Sequence, residues 1–275
     1  MPLTQSVTLA NGVKLPLLGL GTWKTPDGPT VINSVHTALD LGYRHIDTAS
    51  VYANETGVGQ ALRTTKVPRE EIFLTTKIWN DAQRAGPAAV RKAIGESFAR
   101  LNTPYVDLLL LHWAVGPYVE NWKVLEEVYA AGKVKAIGLS NFLQHHLEDV
   151  LAQATVAPMV DQIEFHPRLV QPKLLAFCQQ HHIAVEAWSP LMQGQILAIP
   201  ELKTIAARYG KTIPQLVLRW DLQHGIVTIP KSTHAERIAE NAAIFDFAIT
   251  PADMAPIDAL DQHHRVGADP DHCTF

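Results

Sequence analysis

The sequence predicts an α/β fold, a (β/α)8 TIM barrel that follows a β-hairpin. From Leu17 onward, eight short apolar runs alternate with amphipathic helical segments, and strands that alternate with helices form a parallel sheet. The chain has 275 residues, a length that suits one such barrel. An open doubly wound sheet is the alternative, but no G-x-G-x-x-G motif follows the first strand. We therefore expect residues 1–275 to form a single domain.

The hairpin is predicted over SVTLA-NG-VKLP, where alternating side chains flank Asn11-Gly12. This dipeptide favours a type I′ turn, in which both central residues take positive φ. The first barrel strand is expected over 17–21. A helix follows from about Pro29 to Leu41, because its apolar residues share one face and Gly42 can end it. Those apolar residues are Val31, Val35, Ala38 and Leu39.

The second barrel strand lies in the stretch GYRHIDTASVYANETGVG (42–59) and stops at Asp47. Asn54 is expected to cap the helix that begins with Glu55. The run 105–111 is nearly all apolar, which is typical of a strand buried on both faces. The remaining strands are predicted over 71–76, 134–139, 158–162, 183–187 and 225–229. The remaining helices are predicted from Pro87 to about 101, over 120–131, 143–153 and 172–181, as one or two segments within 200–222, and over 235–243 as the last helix. The polar tail after Leu260 is expected to be irregular.

Composition and charge exclude several classes of protein. A formal net charge of −4 argues against nucleic acid or an anionic membrane surface as a partner. No apolar run approaches the roughly 20 residues that span a bilayer. The start of the chain has neither a basic n-region nor an apolar h-region, so we expect no signal peptide and a cytoplasmic location. We also expect a monomer or a weak dimer.

Cysteine and histidine give no metal-binding pattern. Cys178 and Cys273 provide neither a disulfide framework nor a metal spacing, and Cys178 has the helical spacing of a core residue. Adjacent histidines on a helix point about 100° apart, so the three His-His pairs are predicted to lie on the surface. These pairs are His145-His146, His181-His182 and His263-His264. We expect no metal.

Polar residues follow most of the predicted strands, and a barrel of this kind carries its active site at the carboxyl ends of its strands. We expect these side chains to converge on one mouth of the barrel. The strand ends read Thr22-Trp23, Asp47, Lys77, His112-Trp113, Ser140-Asn141, Gln162, Trp188-Ser189 and Lys231-Ser232.

Three of these residues, together with Tyr52, form a set that suits carbonyl reduction. A phenol such as Tyr52 is a poor acid near neutral pH, but the nearby ammonium of Lys77 favours its ionised form and lowers its pKa. Asp47 would keep Lys77 charged, and His112 could hydrogen-bond a substrate oxygen. The alternative interpretation is a structural Lys–Asp ion pair beside a packed tyrosine and histidine.

Several motifs resemble those of the aldo-keto reductases, from Val7 to about Leu260 and in the family's order. They are GYRHIDTASVYANETGVG, the TTK that ends at Lys77, the LLLHW that ends at Trp113, KAIGLSNF (135–142) and IPKSTHAER (229–237). The resemblance implies a barrel whose bottom is closed by the N-terminal hairpin. It also implies that Tyr52 is the general acid, that Lys77 and Asp47 tune it, and that His112 orients the carbonyl.

The resemblance further implies a binding site for NADPH (NADP+). Ser140, Asn141 and Gln162 would hold the nicotinamide carboxamide, and Trp188 would stack on the ring. Lys231, Ser232 and Arg237 match the positions that bind the adenosine 2′-phosphate, which predicts a preference for NADPH over NADH. Other cofactor contacts are expected from Gly21, Thr22, Asp47, Ser189, Leu191, Thr233 and Asn241. The substrate pocket would be lined by Trp23, Tyr52, Trp79, His112 and Trp113.

The sequence also departs from the family pattern. Ala114 replaces the usual proline, and the tail is short, so we expect a less enclosed pocket. The compact loops resemble the bacterial branch of 2,5-diketo-D-gluconate and methylglyoxal reductases, which implies small aldehydes and ketones such as dicarbonyls, keto sugars and aromatic aldehydes. Two alternatives stay open: a Schiff-base lyase that uses Lys77, and a cofactor-binding regulatory subunit with little turnover.

Overall fold

Eight parallel strands form the centre of the fold in the computed structural model, which describes residue 3 and residues 5–275. An antiparallel pair precedes them, β1 (Ser6–Thr8) and β2 (Lys14–Pro16). The eight strands are β3 (Leu20–Gly21), β4 (His45–Asp47), β5 (Phe73–Ile78), β6 (Val106–Leu111), β7 (Val134–Ser140), β8 (Val160–Glu164), β9 (Ala184–Trp188) and β10 (Val227–Thr228). They lie side by side in chain order.

The sheet closes on itself between β3 and β10, and we call this join the seam. Leu18 forms a parallel bridge with Thr228, and Gly21 forms one with Lys231. Backbone hydrogen bonds across the seam run from Gly19 N to Thr228 O, from Gly21 N to Pro230 O and from Thr228 N to Leu17 O. The predicted eight-stranded barrel is confirmed.

Helical segments follow the strands and cover the outside of the barrel. The helices are α1 (Pro29–Asp40), α2 (Glu55–Thr64), α3 (Asn80–Ala85), α4 (Pro87–Leu101), α5 (Tyr118–Ala130), α6 (Gln144–Leu151), α7 (Pro172–Gln180), α8 (Pro200–Arg208), α9 (Ile213–Gln223), α10 (Ala235–Ala242) and α11 (Pro251–Asp258). The apolar face predicted for α1 is buried, whereas Leu41 just after it is 40% exposed. All six residues of β6 are buried, as the apolar run predicts.

The hairpin lies at the amino-terminal end of the barrel strands, but its turn differs from the predicted type I′. Leu9 N donates to Val13 O and Gly12 N donates to Leu9 O, which encloses a three-residue loop. Only Gly12 in this loop has a positive φ, 88°, as in a hairpin with a G1 bulge. Asn11 keeps negative φ and donates instead to Lys135 O at the start of β7, 2.8 Å away. This contact fixes the hairpin against the bottom of the barrel.

Two helices, α3 and α11, have no counterpart in the sequence prediction. Helix α11 contains Pro256 and no continuous apolar stripe, which hides it from periodicity. Thr250 caps it by accepting a hydrogen bond from Asp253 N, and that S/T-x-x-D spacing could have revealed its start. Asp258 accepts a hydrogen bond from the indole nitrogen of buried Trp220 at 2.7 Å, so α11 satisfies a polar group of the neighbouring helix α9.

Residues 261–275, called the tail, are irregular as predicted apart from a short 3-10 turn at Pro270–His272. In the described part of the chain, no helix has both the length and the apolar content needed to cross a bilayer.

Candidate active site

The predicted strand ends converge on one deep cleft at the carboxyl ends of the barrel strands. The cleft has a volume of about 1280 Å³. This volume exceeds that of a pocket for a single drug-sized molecule and leaves room for a dinucleotide together with a small substrate. The predicted residues that line it are Gly21, Trp23, Asp47, Tyr52, Trp79, His112, Trp113, Ser140, Asn141, Gln162, Trp188, Ser189, Leu191, Lys231, Ser232, Arg237 and Asn241.

Three other predicted residues do not line the cleft. Lys77 lies in β5 below Tyr52 and is completely buried. Thr22 is also buried, and its hydroxyl donates to Asp47 O at 2.9 Å. Thr233 lies in the segment that leads from the seam to α10, outside the cleft lining. Lys77 and Thr22 therefore support the site from beneath its surface.

A buried ion pair lies at the floor of the cleft. The Lys77 ammonium donates to both carboxylate oxygens of Asp47, at 2.6 and 2.7 Å, and to Thr48 O at 3.0 Å. Burial is the largest single effect and opposes the ammonium form, but the charge and hydrogen bonds of Asp47, together with smaller contributions from Tyr52 and Glu186, raise the pKa of Lys77 overall. Burial also raises the pKa of Asp47, although Lys77 opposes that change. Each charge offsets the cost of burying the other, so removing either partner would leave one uncompensated charge in the interior.

Tyr52 ends the short 3-10 turn Ser50–Tyr52, which follows β4. Its hydroxyl lies 3.5 Å from Lys77 Nζ. Burial raises the pKa of Tyr52 to about 12, and the nearby ammonium of Lys77 offsets only part of this rise. Lys77 acts on the pKa of the phenol in the predicted direction, but desolvation, which the sequence did not indicate, is the larger effect and leaves the pKa above its ordinary value. The phenol is held in its protonated form.

His112 contacts the edges of two aromatic rings at the mouth. Its ring centre lies 5.8 Å from that of Tyr52 and 5.0 Å from that of Trp79. Burial and the charge of Lys77 hold the pKa of His112 well below its ordinary value, so the imidazole is neutral. Its Nδ1 atom is buried without a hydrogen-bond partner among the described residues. A neutral imidazole can donate one hydrogen bond to an oxygen without competing for the proton of Tyr52.

A network of amide hydrogen bonds joins β7 to β9 across the cleft. Asn141 has a positive φ of 60°, which turns its side chain back toward the barrel. Its amide nitrogen donates to His112 O at 2.9 Å and to Ser140 Oγ at 3.1 Å. Its amide oxygen accepts from Trp188 Nε1 at 2.8 Å. The orientation of the Trp188 ring is therefore fixed by the same residue that was predicted to bind a carboxamide.

Gln162 links the ion pair to a carboxyl group that sequence reasoning missed. Its Nε2 atom donates to Asp47 Oδ2 at 2.9 Å and to Glu186 Oε1 at 2.5 Å. Glu186 lies in β9 with no exposed surface. Glu186 falls in the strand predicted over 183–187. The pattern of a strand does not indicate that one of its carboxyl groups points into the barrel beside the site.

Asn54 was predicted to cap α2, but its side chain makes no hydrogen bond to the first N–H groups of that helix. The amide nitrogen donates to Thr22 O at 2.9 Å and to Thr25 O at 3.0 Å, while its oxygen accepts from the Thr48 hydroxyl. Asn54 is completely buried, and its side chain is directed to these partners rather than to the N–H groups of α2. It joins the loops after β3 and β4 and so holds the segment that carries Tyr52.

Three cations face one another at the far end of the cleft. Burial and the charges of Lys24 and Arg237 lower the pKa of Lys231. Among the described residues, none of the three takes part in an ion pair within 4.0 Å. A cluster of like charges without a carboxylate partner suits an anion such as a phosphate. Lys24 was not predicted, because it follows a strand end without matching any motif.

The tail supplies cleft residues that the sequence did not indicate. Glu164 accepts a hydrogen bond from Val266 N at 2.5 Å and also binds Gly267 N, which holds this part of the tail over β8. A Cβ atom on Gly267 would lie 2.3 Å from Trp188 Cη2, so only glycine fits there without displacement. Phe275 stacks on Trp79 with ring centres 5.6 Å apart. The short tail thus covers part of the pocket that was expected to be less enclosed.

The histidine pairs differ from their predicted surface placement in one case. His181, His182, His263 and His264 are exposed, but His146 is buried. The rings of His145 and His146 lie 3.9 Å apart and both reach Asp271. The two side chains do not point about 100° apart as predicted. The His146 ring turns back toward the start of the helix, where its Nδ1 atom accepts a hydrogen bond from Leu143 N. This bond leaves the proton on Nε2, which faces the carboxylate of Asp271.

Known proteins resemble this chain over nearly its whole length. A profile of the Aldo/keto reductase family matches residues 17–262. Glyoxal reductase of Bacillus subtilis is 48% identical over 274 residues, which cover 99% of each chain. Methylglyoxal reductase DkgA of Salmonella typhimurium is 44% identical over 270 residues, which cover 96% of each chain. The crystal structure of the Gox0644 D53A mutant in complex with NADPH has a TM-score of 0.93 at 40% identity, and the match covers 99% of both chains.

Proposed function

Because the chain belongs to the aldo/keto reductase family, we propose that it reduces small aldehydes and ketones to alcohols with NADPH, using Tyr52 as the general acid. The observation that carries this proposal is the convergence of Tyr52, the Lys77–Asp47 pair and His112 at the floor of one cleft. Dicarbonyls come first among the substrates, since two of the relatives are named glyoxal and methylglyoxal reductase. Keto sugars and aromatic aldehydes are further candidates.

The cleft has polar groups that suit both ends of the cofactor. Gln162 uses both amide hydrogens inside the protein, which leaves its oxygen to accept from the nicotinamide carboxamide. Ser140 and Asn141 lie beside it, and Trp188 offers an aromatic face. At the far end, Lys24, Lys231 and Arg237 would bind the 2′-phosphate. When bound, the dihydronicotinamide supplies the hydride that attacks the carbonyl carbon.

Side chains of the protein supply the proton and stabilise the charge that its transfer leaves. The protonated phenol of Tyr52 donates its proton to the carbonyl oxygen as negative charge develops there. Lys77, 3.5 Å away, stabilises the phenolate that this transfer leaves, and Asp47 keeps Lys77 charged. Neutral His112 donates a hydrogen bond to the same oxygen and fixes the direction of approach. The aromatic rings of Trp23, Trp79 and Trp113 form an apolar collar around the substrate.

The geometry argues against a lyase that forms a Schiff base on Lys77. Such a lysine must lose its proton to act as a nucleophile. Here both oxygens of Asp47 accept hydrogen bonds from Nζ, and the pKa of Lys77 is raised. Lys77 is also completely buried below Tyr52, out of contact with the cleft.

The direct test is NADPH oxidation by Tyr52→Phe with methylglyoxal as substrate. This variant keeps the ring and its packing but has no proton to donate. We expect kcat to fall by about 10²–10⁴-fold while the dissociation constant for NADPH stays near that of the wild type. Turnover at the wild-type rate would refute the role of Tyr52. Tight NADPH binding by the wild type without turnover of any carbonyl would favour a regulatory subunit instead.

A further inference from the structure

Glu186 is a buried carboxyl group that the proposed chemistry leaves without a role. It lies inside the barrel with no exposed surface, at the register position paired with Val227 of β10 and Gln162 of β8. Its Oε1 atom accepts from Gln162, and its Oε2 atom has no hydrogen-bond partner among the described residues. Leaving a carboxyl oxygen without a hydrogen-bond partner in a barrel interior is costly, so such a residue calls for an explanation.

The first consequence of this placement concerns the orientation of an amide. Gln162 Nε2 has two hydrogens, and one points to Asp47 Oδ2 while the other points to Glu186 Oε1. Rotating the amide by 180° would place its oxygen against the Asp47 carboxylate, which is repulsive, and would remove the N–H group that Glu186 Oε1 accepts. Glu186 and Asp47 together therefore hold the amide with its oxygen toward the cleft.

The second consequence concerns charge. The titratable groups that interact with Glu186 are Asp47 and His45 from β4, Lys77 from β5, and Tyr52 from the 3-10 turn after β4. His45 Nε2 lies 4.0 Å from Oε2, and burial lowers the pKa of His45 to about 3, so this ring carries no charge. Burial and the charge of Asp47 raise the pKa of Glu186 to about 8, while Lys77 and the Gln162 hydrogen bond oppose the rise. Near this pH, the floor of the cleft gains one negative charge.

The geometry points to Glu186 as a positioning residue for the reaction, one that acts through Gln162 on the Asp47–Lys77 pair and on Tyr52. This inference rests on the proposed function. With Glu186 protonated, the floor holds one ammonium and one carboxylate. With Glu186 ionised, a second carboxylate disfavours the phenolate of Tyr52. Alcohol oxidation, which needs that phenolate to accept a proton, then requires a higher pH.

The experiment compares the pH dependence of alcohol oxidation by NADP+ in the wild type and in Glu186→Gln. The amide of the variant keeps an acceptor for Gln162 but cannot ionise. We expect the pH of half-maximal rate to fall by on the order of one unit in this variant. The matched control is Asp221→Asn, which removes another completely buried carboxyl group, one that binds Thr228 rather than Gln162. This control is expected to keep the wild-type profile.

A second variant, Glu186→Met, keeps the test decisive if the amide variant fails to fold. Methionine has a similar length but accepts no hydrogen bond, so the pH shift should persist and NADPH binding should also weaken several-fold as the Gln162 amide loses one of its two acceptors. An unchanged profile in both folded variants would overturn the inference.

Cofactor binding separates this inference from the proposed function. An ionised Glu186 favours the positively charged oxidised ring, so the ratio of NADP+ to NADPH dissociation constants should fall as pH rises in the wild type and stay flat in both variants. Tryptophan fluorescence quenching reports these constants without turnover. A wild type that reduces no carbonyl would refute the proposed function. A flat ratio in an active wild type would refute the inference alone.

Discussion

The ammonium of Lys77 lies 2.6 and 2.7 Å from the two oxygens of Asp47 but 3.5 Å from the hydroxyl of Tyr52. The salt bridge is thus closer than the contact with the phenol, and both partners are excluded from water. Removing one partner of a buried ion pair leaves an uncompensated charge, which is the main cost of such a change.

The first prediction follows from this pair. Lys77→Met should lower the free energy of unfolding by about 3–5 kcal/mol at neutral pH, because Asp47 is left buried and unpaired. The double variant Asp47→Asn/Lys77→Met should recover much of that loss. Urea denaturation followed by circular dichroism measures both. A double variant no more stable than Lys77→Met would contradict this explanation.

The second prediction concerns the pH dependence of stability. The pKa of Glu186 is raised to about 8 by burial and by Asp47, so the folded chain holds a proton that the unfolded chain releases near its ordinary pKa. Stability from this group is complete below the unfolded pKa and is lost as pH rises toward 8. Between pH 6 and pH 9, the wild type should therefore lose about 2–3 kcal/mol more than Glu186→Gln. If urea denaturation shows that the wild type and Glu186→Gln lose the same free energy of unfolding over this pH range, the prediction is contradicted.

The third prediction concerns the cation cluster. Arg237→Ala should weaken NADPH binding by about 10–100-fold, the loss expected for one charge-assisted hydrogen bond to phosphate. NADH, which lacks the 2′-phosphate, should bind nearly as before. Lys92→Ala is the control, since Lys92 is a surface cation with an 80% exposed side chain. Equal losses for the two cofactors in a fluorescence titration would remove the phosphate assignment.

The fourth prediction concerns the contact between the tail and Trp188. Gly267→Ala would bring a Cβ atom to 2.3 Å from the indole, while Glu164 holds the tail backbone in place. We expect the ring to tilt and NADPH binding to weaken by about 5–100-fold, as for an overpacked contact of ~1–3 kcal/mol. Gly95→Ala in α4 is the matched control, because no atom lies within 4 Å of its new Cβ. Equal affinities for the two variants would rule out this contact as a support of the ring.

Local patterns predicted the parts of the fold that depend on neighbours in sequence. The apolar run of β6 and the apolar face of α1 both lie where the pattern indicates. The turn at Gly12 was misassigned because its conformation depends on a contact of Asn11 with β7. Helix α11 has no periodic apolar face by which a sequence pattern could indicate it. One of its contacts with the rest of the fold is a polar one, the hydrogen bond from Trp220 to Asp258.

The structure brings predicted residues into contact where a strand end and a motif coincide, as at Asp47 and Lys77, while their roles stay predictions. The site was predicted poorly where a residue acts through contacts distant in sequence. Glu186 is linked to the site through its hydrogen bond with Gln162, and Gly267 through its close approach to Trp188. Both contacts join residues far apart in the chain, so local sequence patterns do not reveal them. The pKa of Tyr52 could not be derived from the charge of Lys77, because the competing effect is burial.

A ligand in the cleft would contact both sides of the seam. The first and last strands meet there through two bridges, and Gly21 and Lys231, which form one of them, both line the cleft. A dinucleotide phosphate held by Lys231 would add a cross-link between strands that few backbone bonds join. Since any ligand that binds only the folded state stabilises it by RT ln(1 + [L]/Kd), a dinucleotide bound across the seam would raise the free energy of unfolding as its concentration rises.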